Sequence, residues 1–242
     1  MQCFRADFHI HSCLSPCADL TMTPNQVAQK LVENHIDWAA ITDHNSTRNL
    51  AVFEEIFNKN GVSFLPGIEI QTVEDIHLLG YFPSVQKACE LGEIIESKLP
   101  KHESDPEIDG YQLLVNEADE FTEMWLKPLS LPCSLTLEEC VALIEEYGGI
   151  AVYAHVDKAM SIIYQLGFIP PEPFISCEIY MPSKLERYAG QMKGRTLFSS
   201  SDAHNLDSFS EAKMMVKCCN RTFDEFLKAV MKIDGREVML CH

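Results

Sequence analysis

Seven short apolar runs, at residues 4–9, 37–42, 62–70, 76–82, 150–154, 174–180 and 196–200, recur along the chain with amphipathic stretches between them. Runs of this length that are apolar throughout read as strands buried on both faces, and the stretches at 24–34, 48–58, 135–147 and 223–232 read as covering helices. Thr23 before Pro24 supplies an N-cap with proline in the first turn, and Gly148-Gly149 ends the helix that starts near Leu135. The alternation predicts an α/β protein with a mainly parallel sheet, and closure into a barrel is the simplest way to protect the sheet edges. At 242 residues and 46% hydrophobic content, one such domain over 1–242 has enough apolar material for a sizeable core. Residues 84–134 break the rhythm with a helical pattern at 85–99, an acidic stretch and the proline-punctuated Lys127-Pro128-Leu129-Ser130-Leu131-Pro132. This segment reads as an insertion, either a lid or binding loop or a solvated excursion.

No apolar run reaches membrane-spanning length and no charged stretch leads into a signal core near Met1, so a cytoplasmic protein with no membrane contact is expected. The ten cysteines are scattered irregularly, and such thiols are expected to be reduced. Cys13 and Cys17 lie beside two histidines, where they read either as small residues of a buried loop or as a source of a thiolate ligand. Cys218 and Cys219 are adjacent, so their side chains diverge and a shared ion is not expected. The formal net charge of −17 argues against a general duplex-binding surface. A small anionic substrate remains compatible with that charge, because divalent cations reverse the potential inside a carboxylate-lined pocket. Oligomeric state is not legible.

The chemistry concentrates at strand ends. His9 and His11 close the first run, where alternation points residues i and i+2 to one side. Taken alone, such a pair reads equally well as satisfied polar residues. His44 follows the second run in Thr42-Asp43-His44, at the carboxyl end where α/β active sites collect. Glu69 lies inside the apolar Gly67-Ile68-Glu69-Ile70, where an unpaired charge is costly and a cation or strong donor is needed. His77 and His155 sit in or at the end of two further runs, and Ser201-Asp202-Ala203-His204 ends another. Six of nine histidines fall in these clusters, which turns individually weak signals into a metal-site pattern. Asp19, in the loop after His11, reads as a further member or as a solvated turn aspartate. Imidazoles with carboxylates suit zinc, manganese or iron(II), and sites of two or more ions suit phosphoryl displacement. No Gly-rich phosphate loop, Gly-x-Ser-x-Gly elbow or His-Glu-x-x-His helix is present.

In order along the chain, His-x-His, Thr-Asp-His, Gly-x-Glu, a later strand-end His and Ser-Asp-x-His resemble the PHP (polymerase and histidinol phosphatase) superfamily, from His9 to His204. The resemblance implies a distorted (β/α)7 barrel with three divalent ions at the carboxyl ends of its strands. By the same resemblance one ion is held by His9, His11, Glu69 and Asp202, with Glu69 bridging to a second on His77 and His155. A third takes Asp19, His44 and His204. Asp43 then orients a ligand, and Asp43, Glu69 and Asp202 become the expected catalytic carboxylates. Ser12 stands where many relatives have threonine, a mild departure. Family activities include hydrolysis of histidinol phosphate, removal of phosphate from nucleoside bisphosphates, exonuclease action and polymerase-associated proofreading. For substrate, Arg48, Lys158 and Glu178 are the candidate contacts, Glu178 alternatively supporting a ligand. The expected activity is hydrolysis of a small phosphomonoester or nucleotide by metal-activated water. Exonuclease action on short single-stranded ends, a non-catalytic metal- or nucleotide-binding module, and amidohydrolase chemistry are the alternatives.

Overall fold

The computed structural model describes residues 1–172 and 175–241. Phe174, which opens the sixth predicted run, lies outside the described residues, as does His242. In chain order the elements are β1 (Gln2–Asp7), α1 (Pro24–Glu33), β2 (Trp38–Ile41), α2 (Leu50–Lys59), β3 (Ser63–Gln71), β4 (His77–Tyr81), α3 (Val85–Ser97), α4 (Pro106–Asp109), β5 (Leu113–Val115) and β6 (Phe121–Met124). Then follow α5 (Leu137–Glu146), β7 (Ile150–Tyr153), α6 (Ile162–Leu166), β8 (Ser176–Glu178), α7 (Leu185–Tyr188), β9 (Leu197–Phe198), β10 (Met214–Cys218), α8 (Phe223–Val230) and β11 (Glu237–Leu240). Each predicted run coincides with one of the strands β1, β2, β3, β4, β7, β8 and β9.

The main sheet has the order β11-β10-β1-β2-β3-β4-β7-β8-β9, and its end strands β9 and β11 pack together, so it is nearly closed into a barrel. The expected mainly parallel sheet is corrected here. The pairs β1–β2, β2–β3, β7–β8 and β8–β9 are parallel, but β3–β4, β4–β7, β1–β10 and β10–β11 are antiparallel. Only residues 72–76 separate β3 from β4, too few for a crossover, so the two form a hairpin. The strands β10 and β11 were not anticipated. Their signal was the alternation of buried Met214, Val216 and Cys218 with half-buried neighbours, a period of two.

One layer of alternate strand residues, including Phe8, Trp38, Leu79, Tyr81, Val152 and Phe198, forms an apolar cluster with Phe226 and Ala229 of α8. Phe226 stands 5.2–6.0 Å, ring centre to ring centre, from Phe8, Trp38, Tyr81 and Phe198. Edge-to-face aromatic pairs of this kind add to the burial they accompany. The opposite strand faces pack under α1, α2, α3 and α5. No helix among the described residues is long and apolar enough to cross a membrane.

Residues 84–134 are docked on the body, not solvated. Asn45 Nδ2 donates to the carbonyls of Leu129 and Leu131, Asn49 Nδ2 to Leu113, and Cys133 N–H to Gln71. Within it α3 comes so close to the loop after β2 that a Cβ on Gly92 would meet Thr47 Oγ1 at 2.1 Å. Alanine there gains about 1 kcal/mol of helix propensity, but overpacking typically costs 1–3 kcal/mol. Gly92→Ala is therefore expected to lower stability by about 1 kcal/mol, seen as a depressed melting temperature. An unchanged or higher melting temperature would show that α3 can move off the loop freely.

Candidate metal centre

The chain is bent inward at the strand ends by single bridges beyond the regular sheet. His44 pairs with Glu69, and Ile10 with Ala203, which draws the ends of β1, β2, β3 and β9 to one rim. Asp202 N–H donates to the His9 carbonyl and His11 N–H to that of Ala203. Asn45, His155 and Asp202 have positive φ angles of 51°, 23° and 52°, a region rarely adopted by residues with a Cβ. Such conformations persist where the surroundings over-determine them and commonly mark functional sites. His77 reaches the same rim from the amino end of β4, because that strand runs antiparallel and sets His77 opposite Gln71.

Glu69 lies at the middle of the cluster and is fully buried. Its oxygens stand 3.3 Å from His9 Nε2, 3.3 Å from His11 Nε2, 3.0 Å from His44 Nδ1, 2.9 Å from His77 Nδ1 and 3.1 Å from His155 Nε2. Asp202 Oδ1 stands 3.3 Å from both His9 Nε2 and His11 Nε2. Ligand atoms bound tetrahedrally at about 2.0–2.1 Å from a small cation lie roughly 3.3–3.4 Å apart, so this spacing fits one ion. Three groups place one ligand atom per residue within 4.8 Å of each other: His9, His11 and Asp202; His44, Glu69 and His77; and His11, His44 and His204. His155 joins the second group, 3.3 Å from His77.

Buried atoms without a hydrogen-bond partner include His9 Nε2, His11 Nε2, His44 Nδ1, His77 Nε2, His155 Nδ1 and Glu69 Oε2. A native interior rarely leaves so many polar atoms unsatisfied in one place. Their opposite nitrogens explain the orientation of two of them. His9 Nδ1 bonds Glu178 Oε2 at 2.8 Å, and His11 Nδ1 bonds Ser15 Oγ at 3.0 Å. Ser15 Oγ in turn donates to Asp43 Oδ1, so each imidazole donates its Nδ1 proton and presents an Nε2 lone pair to the cluster. Asp43 also accepts from Ser12 N–H and Oγ, both at 2.6 Å, which pins the loop behind His11.

The electrostatics suit cations. Burial opposes ionisation of Glu69 and Asp202, but the surrounding imidazoles hold both carboxyls well below their ordinary range. Burial likewise opposes charge on His9 and His44, yet Glu178, Asp202 and Glu69 around His9, and Glu69 beside His44, hold them well above theirs. The His77 imidazole is pushed down, chiefly by burial. Bound cations would neutralise the two buried carboxylates in place of imidazole protons.

The remaining predicted residues land in different places. Lys158 is on the wall, its Nζ 2.5 Å from Asp202 Oδ2 and 4.3 Å from the Tyr180 ring centre. Burial opposes its charge, but Asp202 more than compensates and raises its pKa. Glu178, nominated for substrate, spends its carboxylate on His9 Nδ1 and the backbone N–H of His155. Arg48 is drawn off by Glu96, which takes its Nε at 3.0 Å and Nη2 at 2.9 Å, while the guanidinium stacks 3.6 Å above Trp125. It is thereby committed to anchoring the 84–134 segment instead of reaching the cavity. Asp19 donates its N–H to the His204 carbonyl at 2.7 Å, but its side chain is exposed and stands outside the cavity wall. Cys17 lines the wall in its stead, between Ser15, whose Oγ accepts from His44 N–H, and Asp19, whose N–H donates to the His204 carbonyl. The supporting serines Ser12 and Ser15 escaped sequence reasoning, since serine in a loop carries no signal of its own.

No protein-family model matches the chain. The 5'-3' exoribonuclease Rnm of Escherichia coli (strain K12) is 25% identical over 191 residues, 62% of this chain and 64% of that protein. Among solved structures, the lesion-specific endonuclease PfuEndoQ from Pyrococcus furiosus superposes with a TM-score of 0.73 at 18% identity, over 99% of this chain and 58% of that one. A protein from Bifidobacterium adolescentis assigned as a metal-dependent phosphoesterase gives 0.59 at 15% identity, covering 93% and 95% of the two chains. The chain thus spans less than two thirds of the exoribonuclease and of the endonuclease. These solved structures share the fold of this chain, and its rim gathers the histidine and carboxylate motifs in one place.

Proposed function

We propose that the chain is a metal-dependent hydrolase of phosphate esters acting on a small phosphomonoester or nucleotide. The observation that carries this reading is the gathering of six imidazoles around Glu69 and Asp202, most of them on the wall of a cavity of about 330 Å³ that also holds Lys158. A cavity of that size takes one nucleotide-sized group. On this reading His9, His11, Glu69 and Asp202 hold one ion, Glu69, His77 and His155 a second, and His44 and His204 a third beside His11. Divalent zinc, manganese or iron held there lowers the pKa of a water molecule and neutralises phosphate oxygens.

The other residues position and neutralise. Glu178 and the Ser15–Asp43 pair keep His9 and His11 in the orientation that frees Nε2. Lys158 faces the cavity as a fixed positive charge and takes a non-bridging phosphate oxygen, while Asp202 keeps it in place. A second reading, exonuclease action on short single-stranded ends, draws support from the exoribonuclease relative and from Tyr180. That ring has Lys158 Nζ at 4.3 Å and Lys213 Nζ at 4.2 Å from its centre, a pairing of aromatic group and cations that suits a terminal nucleotide.

Purified protein loaded with manganese, zinc or iron(II) is expected to release phosphate or mononucleotide from a panel of phosphomonoesters, nucleotides and 5'-labelled oligonucleotides. Glu69→Gln should abolish release together with metal retention. Lys158→Ala should bind metal normally but lower kcat/KM by about ten- to a hundredfold, the loss of one hydrogen bond to a charged group. Turnover that survives both chelation and Glu69→Gln would sink the reading.

Stability should also depend on pH in a metal-linked way. The raised pKa values of His9 and His44 stabilise the metal-free fold below about pH 6.5, and that contribution is lost as pH rises through them. The depressed Glu69 and Asp202 values stabilise it above about pH 4, and that part is lost only as pH falls through them. Metal-free protein should therefore melt highest at mildly acidic pH, and the gain in melting temperature on adding metal should grow as pH rises from about 6 to 8. A gain that stays flat across this interval would show that metal does not replace protons in the cluster.

A further inference from the structure

We propose that Cys17 supplies a thiolate ligand to the ion held beside His11, His44 and His204, making that position a mixed nitrogen–sulfur site unlike the nitrogen–oxygen positions around Glu69. The inference rests on the reading above that the cluster holds divalent ions. Three observations place the sulfur there. One ring nitrogen from each of His11, His44 and His204 lies within 4.8 Å of the others, a set of three ligands that tetrahedral coordination completes with a fourth. His11 Nε2 and His44 Nδ1 are buried without a hydrogen-bond partner, facing the Glu69 and Asp202 oxygens at 3.0–3.3 Å, so both are oriented as ligand atoms. Cys17 lines the same cavity wall as His44 and His204, on a loop whose Ser15 Oγ accepts from His44 N–H and whose Asp19 N–H donates to the His204 carbonyl.

The loop that carries Cys17 is held firmly. Ser15 Oγ is tied to Asp43, Ala18 N–H donates to the Ser15 carbonyl at 3.0 Å, and Asp19 N–H donates to the His204 carbonyl at 2.7 Å. These bonds fix the turn on both sides of Cys17 and leave the Asp19 carboxylate exposed. Cys13, the other thiol of this loop, is buried and directed at the Leu113 carbonyl, so it does not compete. A thiolate among imidazoles biases the position toward zinc, iron(II) or cobalt over magnesium or manganese. Coordination releases the thiol proton to solvent.

Cobalt(II) alone is the probe. Protein reconstituted with cobalt is expected to show a near-ultraviolet thiolate-to-cobalt charge-transfer band, lost in Cys17→Ser with one equivalent of metal, and kept in Cys3→Ser, whose exposed thiol lies on β1. A second measurement needs no variant. Alkylation of the metal-free wild type should label the exposed Cys3, Cys17 and Cys219, and added cobalt or zinc should protect Cys17 alone. Cobalt bound without the band, or a band that survives Cys17→Ser, or Cys17 labelling indifferent to metal, overturns the thiolate ligand while leaving the metal cluster standing. Failure to take up any cobalt overturns both.

Discussion

A carboxylate buried inside an apolar strand is among the most expensive things a fold can contain, and here it is Glu69, fully removed from solvent. The barrel tolerates it because imidazoles arrive from the ends of four other strands. The nearest nitrogens of His9, His11, His44, His77 and His155 all stand within 3.3 Å of its oxygens. Much of the geometry at this rim follows from keeping them there. The positive-φ turns at Asn45, His155 and Asp202, and the isolated bridges beyond the regular sheet, aim side chains that ordinary strand ends would leave pointing elsewhere.

Behind the imidazoles stand the groups that hold them. Glu178 holds His9 by Nδ1 and braces the backbone at His155, and Ser15 with Asp43 holds His11 in the same sense. Both arrangements spend the Nδ1 proton outward and turn an Nε2 lone pair inward, the orientation a metal-binding imidazole needs. The sharing of Asp202 between the two imidazoles and Lys158 joins this ligand set to the one lysine on the cavity wall among the described residues. Local positive charge is thereby concentrated in a chain whose net charge is −17.

The segment 84–134 contributes through packing. Asn45, next to His44, holds it by two carbonyls, and Ser46 and Arg48 hold it through Glu96, so the loop that presents His44 is braced from outside the barrel. Ser130 of the same segment reaches the cavity wall. This is why Arg48, well placed in sequence to meet a phosphate, is not well placed in space. A buried acceptor, Glu96, and an aromatic face, Trp125, compete for it and hold it at close range.

Seven of the nine strands of the main sheet, the longer helices over them and the histidine-bearing ends were legible in the sequence, because burial on both faces leaves an apolar run and a charged residue inside such a run is conspicuous. Strand direction was not. The hairpin that reverses β4 depends on the brevity of residues 72–76, and it alone brings His77, at an amino end, to the rim formed by carboxyl ends. Nor could spacing decide between Cys17 and Asp19, two residues apart on one loop. Hydrogen bonds to Asp43 and His204, distant in sequence, orient that loop and bring Cys17, not Asp19, to the cavity wall. What the sequence determined by itself is the inventory of ligand atoms and the period of the elements bearing them, since both are local properties of the chain. The tertiary structure alone decided which of those atoms share a point in space, because that depends on contacts between residues far apart along the chain and on the competing partners that hold each side chain.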